Sequence, residues 1–349
     1  MKQIFKRGSF FTLMFMLLGC LSLYAADNDL ITEQITIKLE KAGTLPDRIA
    51  SSEKYKITNL KIIDEINGTD LRMIREMAGS NSNGGSTDGK LSVLDLSEAK
   101  IVEGGDCYYD DFYTSNDVIG PFAFDGCSGL TSLNLPAGIT EIGSYAFYGC
   151  SGLTSLNLPA GITEIGDHTF YCCSRLTSLN LPAGITKIDF YAFYGCRGLT
   201  SLNLPAGITE IGNGAFSGCS GLTSLNLPAG ITEIGDYAFQ GCSGLTSLNL
   251  PAGITEIGYG TFQGCSGLKE VRFCINDNLD TYLTKGHPYI DVDCAIKYYI
   301  NNKEITSIKI PSNVTTLGNY VFQGCSRLTS LTLPAGITSI GDGAFWGCI

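Results

Sequence analysis

A 23-residue repeat runs through the middle of the chain. Each copy reads Cys-x-x-Leu-Thr-Ser-Leu-Asn-Leu-Pro-Ala-Gly-Ile-Thr-x-Ile-x-x-x-x-Phe-x-x. The cysteines that mark the copies stand at constant spacing: Cys127, Cys150, Cys173, Cys196, Cys219, Cys242 and Cys265. One such unit cannot bury its own apolar face, so it must stack on a neighbour. The repeat therefore predicts a solenoid, a fold that offers long and regular surfaces.

Within one copy, residues 130–135 have the apolar spacing of a short strand whose leucines point inward. Pro136 ends the strand, because proline has no N–H to donate to a neighbouring strand. Successive copies should stack about 4.8 Å apart as a parallel sheet. One phenylalanine per copy should line the other side of the core. These phenylalanines are Phe124, Phe147, Phe170, Phe193, Phe216, Phe239, Phe262, Phe322 and Phe345.

Degenerate copies extend the repeat in both directions. The strand spacing recurs at residues 57–62 and 91–96 upstream, and at 268–273, 305–310 and 328–333 downstream. We therefore expect about eleven coils and a length of roughly 50 Å from the spacing between strands. The predicted fold class is a β-dominated α+β repeat solenoid. It is a right-handed stack of 23-residue coils, each with one short parallel strand, plus a small N-terminal α/β cap.

The sequence predicts three segments. We expect a signal peptide at residues 1–26, an N-terminal cap with degenerate repeats at 27–120, and the solenoid at 121–349, with an insertion at 274–304. The spacing of residues 68–78 predicts a helix in the cap. In the insertion, residues 295–303 indicate a hairpin arm that leads into the strand at 305.

The N-terminal segment has the anatomy of an export signal. Basic residues precede an apolar run from Phe10 to Leu23, and Ala25 and Ala26 follow it. The run is shorter than the roughly 20 residues that a bilayer requires, which disfavours a membrane anchor. We favour cleavage near Ala26. A second interpretation is a lipoprotein signal, because residues 17–20 resemble a bacterial lipobox whose Cys20 would carry a lipid anchor.

The repeat resembles a known family. Its Leu-x-x-Leu-x-Leu-Pro-x-x-Ile-x-x-Ile-Gly-x-x-Ala-Phe-x-x-Cys pattern is similar to the BspA-like leucine-rich repeats of bacterial surface proteins, strongly over residues 120–349 and loosely in the cap. The resemblance implies a leucine-rich-repeat-like solenoid that is secreted or associated with the outer membrane at the cell surface. It also implies adhesion or protein binding, with host extracellular or bacterial surface proteins, or glycans, as partners. It implies no particular ligand.

Composition and motifs argue against several other functions. The formal net charge is −11, whereas nucleic acids and anionic membranes need a basic face. The two histidines, His168 and His287, lie in no catalytic or phosphate-binding motif. We therefore predict a non-enzymatic chain with no cofactor and no transmembrane span in the mature protein.

The 14 cysteines of this chain raise the question of disulfides, because the protein carries an export signal. Nine of them recur at one place in the coil, three residues after a phenylalanine, and this pattern predicts a ladder of buried thiols. Cys274 and Cys294 flank the insertion, and the sequence is compatible with a disulfide between them. A metal site with His287, Asp291 and Asp293 is disfavoured because no C-x-x-C spacing accompanies it.

Two surfaces are candidates for binding. The strand face repeats the same hydroxyl and amide side chains: Ser132, Asn134, Ser155, Asn157, Ser178, Asn180, Ser201, Asn203, Ser224, Asn226, Ser247 and Asn249. Simple solvation explains such a face, and a glycan-binding module is the alternative. The second surface lies around the Ala-Phe pair, where the copies differ and where tyrosine and arginine, which are enriched at interfaces, accumulate. The candidate partner-binding residues there are Tyr145, Tyr148, Tyr171, Arg175, Tyr191, Tyr194, Arg197, Tyr237, Tyr259, Tyr320 and Arg327.

Some of these aromatic residues have an alternative role, which is to shield the edge of the coil. The function predicted from the sequence is adhesion or protein recognition. A structural spacer that displays another domain is a competing class, because the chain stops within a repeat at residue 349.

Overall fold

The computed structural model describes residues 29–275, 279–292, 294–300 and 303–348. The predicted signal peptide and Cys20 lie outside these residues. The chain forms a β-solenoid of about 13 turns with roughly 23 residues per turn, which confirms the predicted solenoid. The two turns beyond the predicted eleven contain the strands Ile35–Lys38 and Ala295–Ile300. No helix in the described part of the chain is long and apolar enough to cross a membrane.

The principal strands form one side of each coil. Those of the first sheet pair in parallel and are Ile35–Lys38, Asn59–Ile66, Val93–Ile101, Ser132–Asn134, Ser155–Asn157 and Ser178–Asn180. The next sheet contains Ser201–Asn203, Ser224–Asn226, Ser247–Pro251, Glu270–Ile275, Ala295–Ile300 and Lys303–Glu304, and the strands Ser307–Lys309 and Ser330–Thr332 form a last pair. Identical residues lie side by side, so Ser155 pairs with Ser178 and Leu156 with Leu179.

Each regular coil also contains a second strand, whereas the sequence predicted only one strand per coil. These two-residue strands pair in parallel and are Val118–Ile119, Glu141–Ile142, Glu164–Ile165, Lys187–Ile188, Glu210–Ile211, Glu233–Ile234, Glu256–Ile257, Thr316–Leu317 and Ser339–Ile340. A turn after the proline, in which the amide of Ile162 donates to the carbonyl of Pro159, reverses the chain before the strand. The coil therefore has two sheet sides, with the leucines and isoleucines between them.

The predicted phenylalanine spine forms the core. The ring of Phe193 is fully buried and stacks at 5.3 Å on both Phe170 and Phe216. Phe262, near the insertion, is also buried, whereas Phe345 in the last coil is only partly buried. Because one ring per coil contacts the ring above and the ring below, the core is continuous through the regular block.

The cysteine ladder lies beside this spine and has a second role. Cys196 is fully buried, as predicted, and its thiol donates to the carbonyl of Phe170, one coil back, at 3.1 Å. The same bond, from a cysteine to the phenylalanine carbonyl 26 residues earlier, recurs for Cys150, Cys173, Cys219, Cys242, Cys265 and Cys348. Burial raises the pKa of the Cys196 thiol well above its usual value. The prediction of burial is wrong for Cys348, which is exposed in the last coil, and Cys265 is half-buried.

The N-terminal cap continues the first sheet and contributes two helices. Helix α1 is Leu45–Arg48, and helix α2 is Gly68–Met77, where the sequence predicts a helix. The side chain of Asn67 accepts a hydrogen bond from the amide of Thr69 at the start of α2, and the carboxylate of Asp70 accepts one from the backbone amide of Asn67. The strands Gly104–Tyr109 and Phe112–Thr114 form a hairpin against α2.

The insertion contains a helix and a strand of the stack. Helix α3, Leu279–Lys285, lies beside the strand Thr316–Leu317. Ala295–Ile300 pairs in parallel with Glu270–Ile275 and antiparallel with Lys303–Glu304, so the predicted hairpin is present and also forms a turn of the solenoid. Cys274 has a free thiol, so it forms no disulfide with Cys294.

Candidate functional site

One position in each coil, two residues before the spine phenylalanine, has a left-handed backbone. It is occupied by Phe122 at φ 58°, Tyr145 at 60°, His168 at 55° and Tyr191 at 52°, and by glycine or tyrosine in other coils. Residues with a Cβ are uncommon there because the left-handed conformation brings the Cβ close to the following carbonyl oxygen. Aromatic side chains at this position therefore require compensating contacts.

Ring stacking supplies these contacts in the first coils. The ring of Tyr145 lies 4.8 Å from that of Phe122 and 4.5 Å from that of His168, and His168 lies 5.2 Å from Tyr191. We call Phe122, Tyr145, His168 and Tyr191 the first column. Stacked and tilted aromatic pairs of this geometry contribute about 0.5–1.5 kcal/mol each beyond their buried area. Burial lowers the pKa of His168, so its imidazole is held toward the neutral form.

Beyond Tyr191 the position alternates between glycine and tyrosine. A Cβ on Gly214 would lie 2.3 Å from the Tyr191 ring, and one on Gly260 would lie 2.6 Å from the Tyr237 ring. Each tyrosine thus covers the glycine of the next coil, and Tyr320 covers Gly343 in the same way. Shielding of the coil edge is therefore part of the role of Tyr191, Tyr237 and Tyr320.

A second column lies one residue after the spine phenylalanine. It consists of Tyr148, Tyr171 and Tyr194, whose rings are nearly parallel, with centroids 4.7 Å and 4.5 Å apart along the stack. All three side chains are half-buried, and burial raises the pKa of the Tyr171 hydroxyl. Ser217 ends the column in the next coil, and its hydroxyl contacts the amide oxygen of Gln240 at 3.4 Å.

The two columns touch one another and extend into the cap. Ring centroids lie 5.8 Å apart for Tyr145 and Tyr148, and 5.5 Å apart for His168 and Tyr171. Tyr109 stacks on Phe122 at 4.8 Å. We define the aromatic face as the resulting contiguous set: Tyr109, Phe112, Phe122, Tyr145, Tyr148, His168, Tyr171, Tyr191 and Tyr194.

A buried arginine supports the cap end of the aromatic face. Arg75 of helix α2 is fully buried, and its guanidinium lies 4.8 Å from the centre of the Tyr109 ring. It donates to the carbonyl of Phe122, and to the carbonyl of Asn81 at 3.0 Å. Arg75 therefore fixes the backbone at the start of the first column. Tyr109, Phe112, Phe122 and Arg75 were not predicted from the sequence. Of these, Phe122 could have been identified, because it shares the coil position of Tyr145.

The predicted arginines lie in two different environments. Arg175 and Arg197 are exposed, and the positive charge of Arg197 lowers the pKa of the neighbouring thiol of Cys172, against the larger effect of burial. The amide of Arg197 donates to the carbonyl of Gly195, which directly follows Tyr194, so Arg197 flanks the second column. Arg327 belongs to another part of the solenoid, where its guanidinium lies 3.7 Å from Glu304.

Three predicted tyrosines lie away from the aromatic face. Tyr237 and Tyr259 form an edge-on pair at 5.5 Å, and Tyr259 is 72% exposed. Tyr320 contacts Tyr289, which in turn contacts the exposed Trp346. The structure therefore brings together Tyr145, Tyr148, Tyr171, Tyr191 and Tyr194, with Arg197 beside them. It separates this group from Tyr237, Tyr259, Tyr320 and Arg327.

The strand face has a regular polar arrangement. Its serine and asparagine side chains are mostly exposed, and the amide of Asn180 donates to the amide oxygen of Asn157 at 3.1 Å. At the edge of this face the hydroxyl of Thr177 donates to the carbonyl of Thr154. These bonds between coils use part of the hydrogen-bonding capacity that a glycan would need.

His287 is the second histidine, and it lies inside the insertion. Its Nδ1 lies 2.7 Å from the carbonyl oxygen of Pro288, and its Nε2 lies 3.0 Å from the hydroxyl of Tyr298. Burial lowers its pKa to about 4. Both ring nitrogens are thus engaged by neighbouring protein groups. Within the described residues no group of three or more His, Cys, Asp or Glu side chains is arranged to hold a metal ion.

The stacked coils with one leucine-lined strand each define the class of this protein, a leucine-rich repeat solenoid. Residues 110–197, 163–286 and 296–349 match the BspA type Leucine rich repeat region (6 copies). The match covers more than half of the chain, and the protein belongs to the BspA-type leucine-rich repeat family. The resemblance noted in the sequence is confirmed.

Solved structures with similar repeats come from several bacteria. A leucine-rich repeat protein from Bacteroides ovatus is 26% identical, with 69% of this chain and 82% of that chain covered and a TM-score of 0.34. A leucine rich cell surface protein from Faecalibacterium prausnitzii is 29% identical, with 70% and 64% covered and a TM-score of 0.44. The pneumococcal vaccine antigen PcpA is 25% identical, with 56% and 49% covered and a TM-score of 0.33. No curated protein matched the chain.

Proposed function

We propose that this protein is a non-enzymatic, secreted or surface-held repeat protein that mediates adhesion or protein recognition through the aromatic face. The observation that carries the proposal is the contiguity of its nine rings, which extend from the cap into the repeats. Interfaces are enriched in tyrosine and arginine, and rigid aromatic side chains lose little entropy on binding. The export signal in the sequence and membership of a family whose proteins are typically secreted or held at the bacterial surface support the location.

The variation between coils supports the same surface. The strand face repeats Ser-Leu-Asn in each regular coil, so it offers little to distinguish one irregular protein surface from another. The second column changes from tyrosine at Tyr148, Tyr171 and Tyr194 to Ser217 and Gln240. A partner is therefore recognised over a limited stretch of the solenoid. The partners we propose are host extracellular proteins or proteins of other bacterial surfaces.

A binding comparison on the whole chain tests this proposal. The triple variant Tyr171→Ala, Arg175→Ala and Tyr194→Ala should lose most binding to immobilised host matrix proteins and to intact bacterial cells. Each such anchor contributes about 2 kcal/mol or more when it is a hot spot. Ser155→Ala with Ser178→Ala is the matched control on the strand face, and circular dichroism checks that both variants fold.

The opposite result would move the site to the strand face. If the serine pair abolishes binding and the aromatic variant does not, the glycan-binding alternative gains support instead. A glycan array with Asn157 and Asn180 changed to bulky residues would then identify the sugar.

A further inference from the structure

The second column of the aromatic face has a period that selects one kind of polypeptide. Its rings are spaced 4.7 Å and 4.5 Å apart, so Tyr148 and Tyr194 lie about 9.2 Å apart along the stack. The rings are nearly parallel, with interplanar angles of 6° and 10°. Because their faces pack against one another, the rings offer edges and hydroxyl groups rather than faces to a partner.

Among extended and helical peptides, only polyproline II matches this period. It rises about 3.1 Å per residue with three residues per turn, so its surface repeats every 9.3 Å or so. A β-strand repeats after two residues, at about 6.8 Å, and an α-helix after about 5.4 Å. Neither of these repeat distances matches the spacing between neighbouring rings of the second column, or twice that spacing. Every third residue of a polyproline II helix would instead meet every second tyrosine.

The chemistry of the aromatic face, which is a strip of rings, fits the same conformation. A polyproline II backbone makes no internal hydrogen bonds, so its carbonyls are free to accept from the Tyr148, Tyr171 and Tyr194 hydroxyls. The first column adds width, because Tyr191 lies 5.8 Å from Tyr194. Aromatic strips bind such segments at low entropic cost, since the peptide is already extended in solution.

Exposed arginines at the edge of the aromatic face favour a peptide that contains an acidic residue. Arg197 and Arg175 are exposed and form no salt bridge with the described residues, whereas Arg327 pairs with Glu304. An acidic residue beside the proline segment would pair with Arg197, whose amide donates to the carbonyl of Gly195, the residue directly after Tyr194.

We infer that the aromatic face docks a proline-rich, polyproline II segment of a partner protein, with an acidic residue next to it. This inference rests on the proposed function and specifies its partner. The buried Arg75, which contacts Tyr109 and the Phe122 carbonyl, keeps the strip rigid before the peptide arrives.

Fluorescence anisotropy with two labelled peptides tests the inference on the whole chain. One peptide contains nine prolines followed by two glutamates, and the other replaces the prolines with alternating glycine and serine. We expect the proline peptide to bind at least about tenfold more tightly. Tyr171→Ala should weaken its binding about tenfold or more, and Arg197→Glu should weaken it only while the glutamates are present.

A matched control separates the strip from exposed tyrosine in general. Tyr259→Ala removes a more exposed tyrosine outside the aromatic face and should leave peptide binding unchanged. Equal binding of the two peptides, or an equal effect of Tyr171→Ala and Tyr259→Ala, would overturn the inference. If surface proteins still require Tyr171, Arg175 and Tyr194 in that case, the proposed function stands without its polyproline partner. If those proteins do not require them, the proposed function fails as well.

Discussion

Phe193 offers the sharpest test of the stacked core, because its ring contacts a ring on each side. The side chain is fully buried, with Phe170 and Phe216 both at 5.3 Å. Phe193→Ala removes about 150 Å² of apolar surface that is buried in the folded chain. At about 25 cal/mol per Å², this loss of burial costs close to 4 kcal/mol. Partial collapse of the cavity and lost ring stacking bring the expected cost to about 3–5 kcal/mol.

Phe345→Ala is the matched comparison. Phe345 is only partly buried and stacks on one ring, Phe322, at 5.7 Å, so it should cost clearly less than Phe193→Ala. Urea unfolding followed by circular dichroism measures both variants. Hydrogen exchange locates the loss, which should spread from the coil of Phe193 to its neighbours because solenoid stability resides in adjacent contacts. Equal costs for the two variants, or an unchanged midpoint for Phe193→Ala, would refute the continuous spine.

Thiol burial, the left-handed backbone and the buried histidine can each be tested separately. Thiol counting by mass spectrometry should show Cys172 labelled under native conditions and Cys196 only after denaturation; a native count that includes Cys196 would contradict the buried ladder. Gly214→Ala should destabilise by about 1 kcal/mol or more, since its φ is 62° and its Cβ would meet a tyrosine ring, whereas Gly138→Ala meets only ordinary contacts. The pKa of His287 is lowered to about 4 in the folded chain, from an ordinary value of 6.5. As the pH falls, the unfolded chain therefore binds a proton at this residue before the folded chain does. Stability should fall by about 3 kcal/mol between pH 6.5 and 4, and His287→Asn should flatten that slope in urea titrations.

The repeat alone determined that the chain forms a solenoid. A spacing of 23 residues places equivalent residues side by side, so the leucine strand, the phenylalanine spine and the buried thiols follow from the sequence of one copy. Helix α2 was also predictable, because Asn67 and Asp70 supply a capping box at its start. These features depend on local sequence and on contacts between identical neighbours.

The insertion and the second strands depended on less regular contacts. Ala295–Ile300 lacks the repeat sequence, yet it pairs with Glu270–Ile275 because the backbone hydrogen bonds of that strand need a partner. The two-residue strands contain too little sequence for a strand pattern. They form because the turn after each proline brings them into register with the next coil.

The aromatic face was only partly visible in the sequence. Variation between copies identified Tyr145, Tyr148, Tyr171 and Tyr194, because the repeat shows which positions change. It did not show that the rings form two touching columns, since that depends on the left-handed backbone at Tyr145 and its equivalents. The continuation into the cap depended on Arg75 packing beneath Tyr109, a contact between residues distant in sequence. A sequence period determines what recurs in each coil, whereas the tertiary structure decides which of the recurring side chains meet.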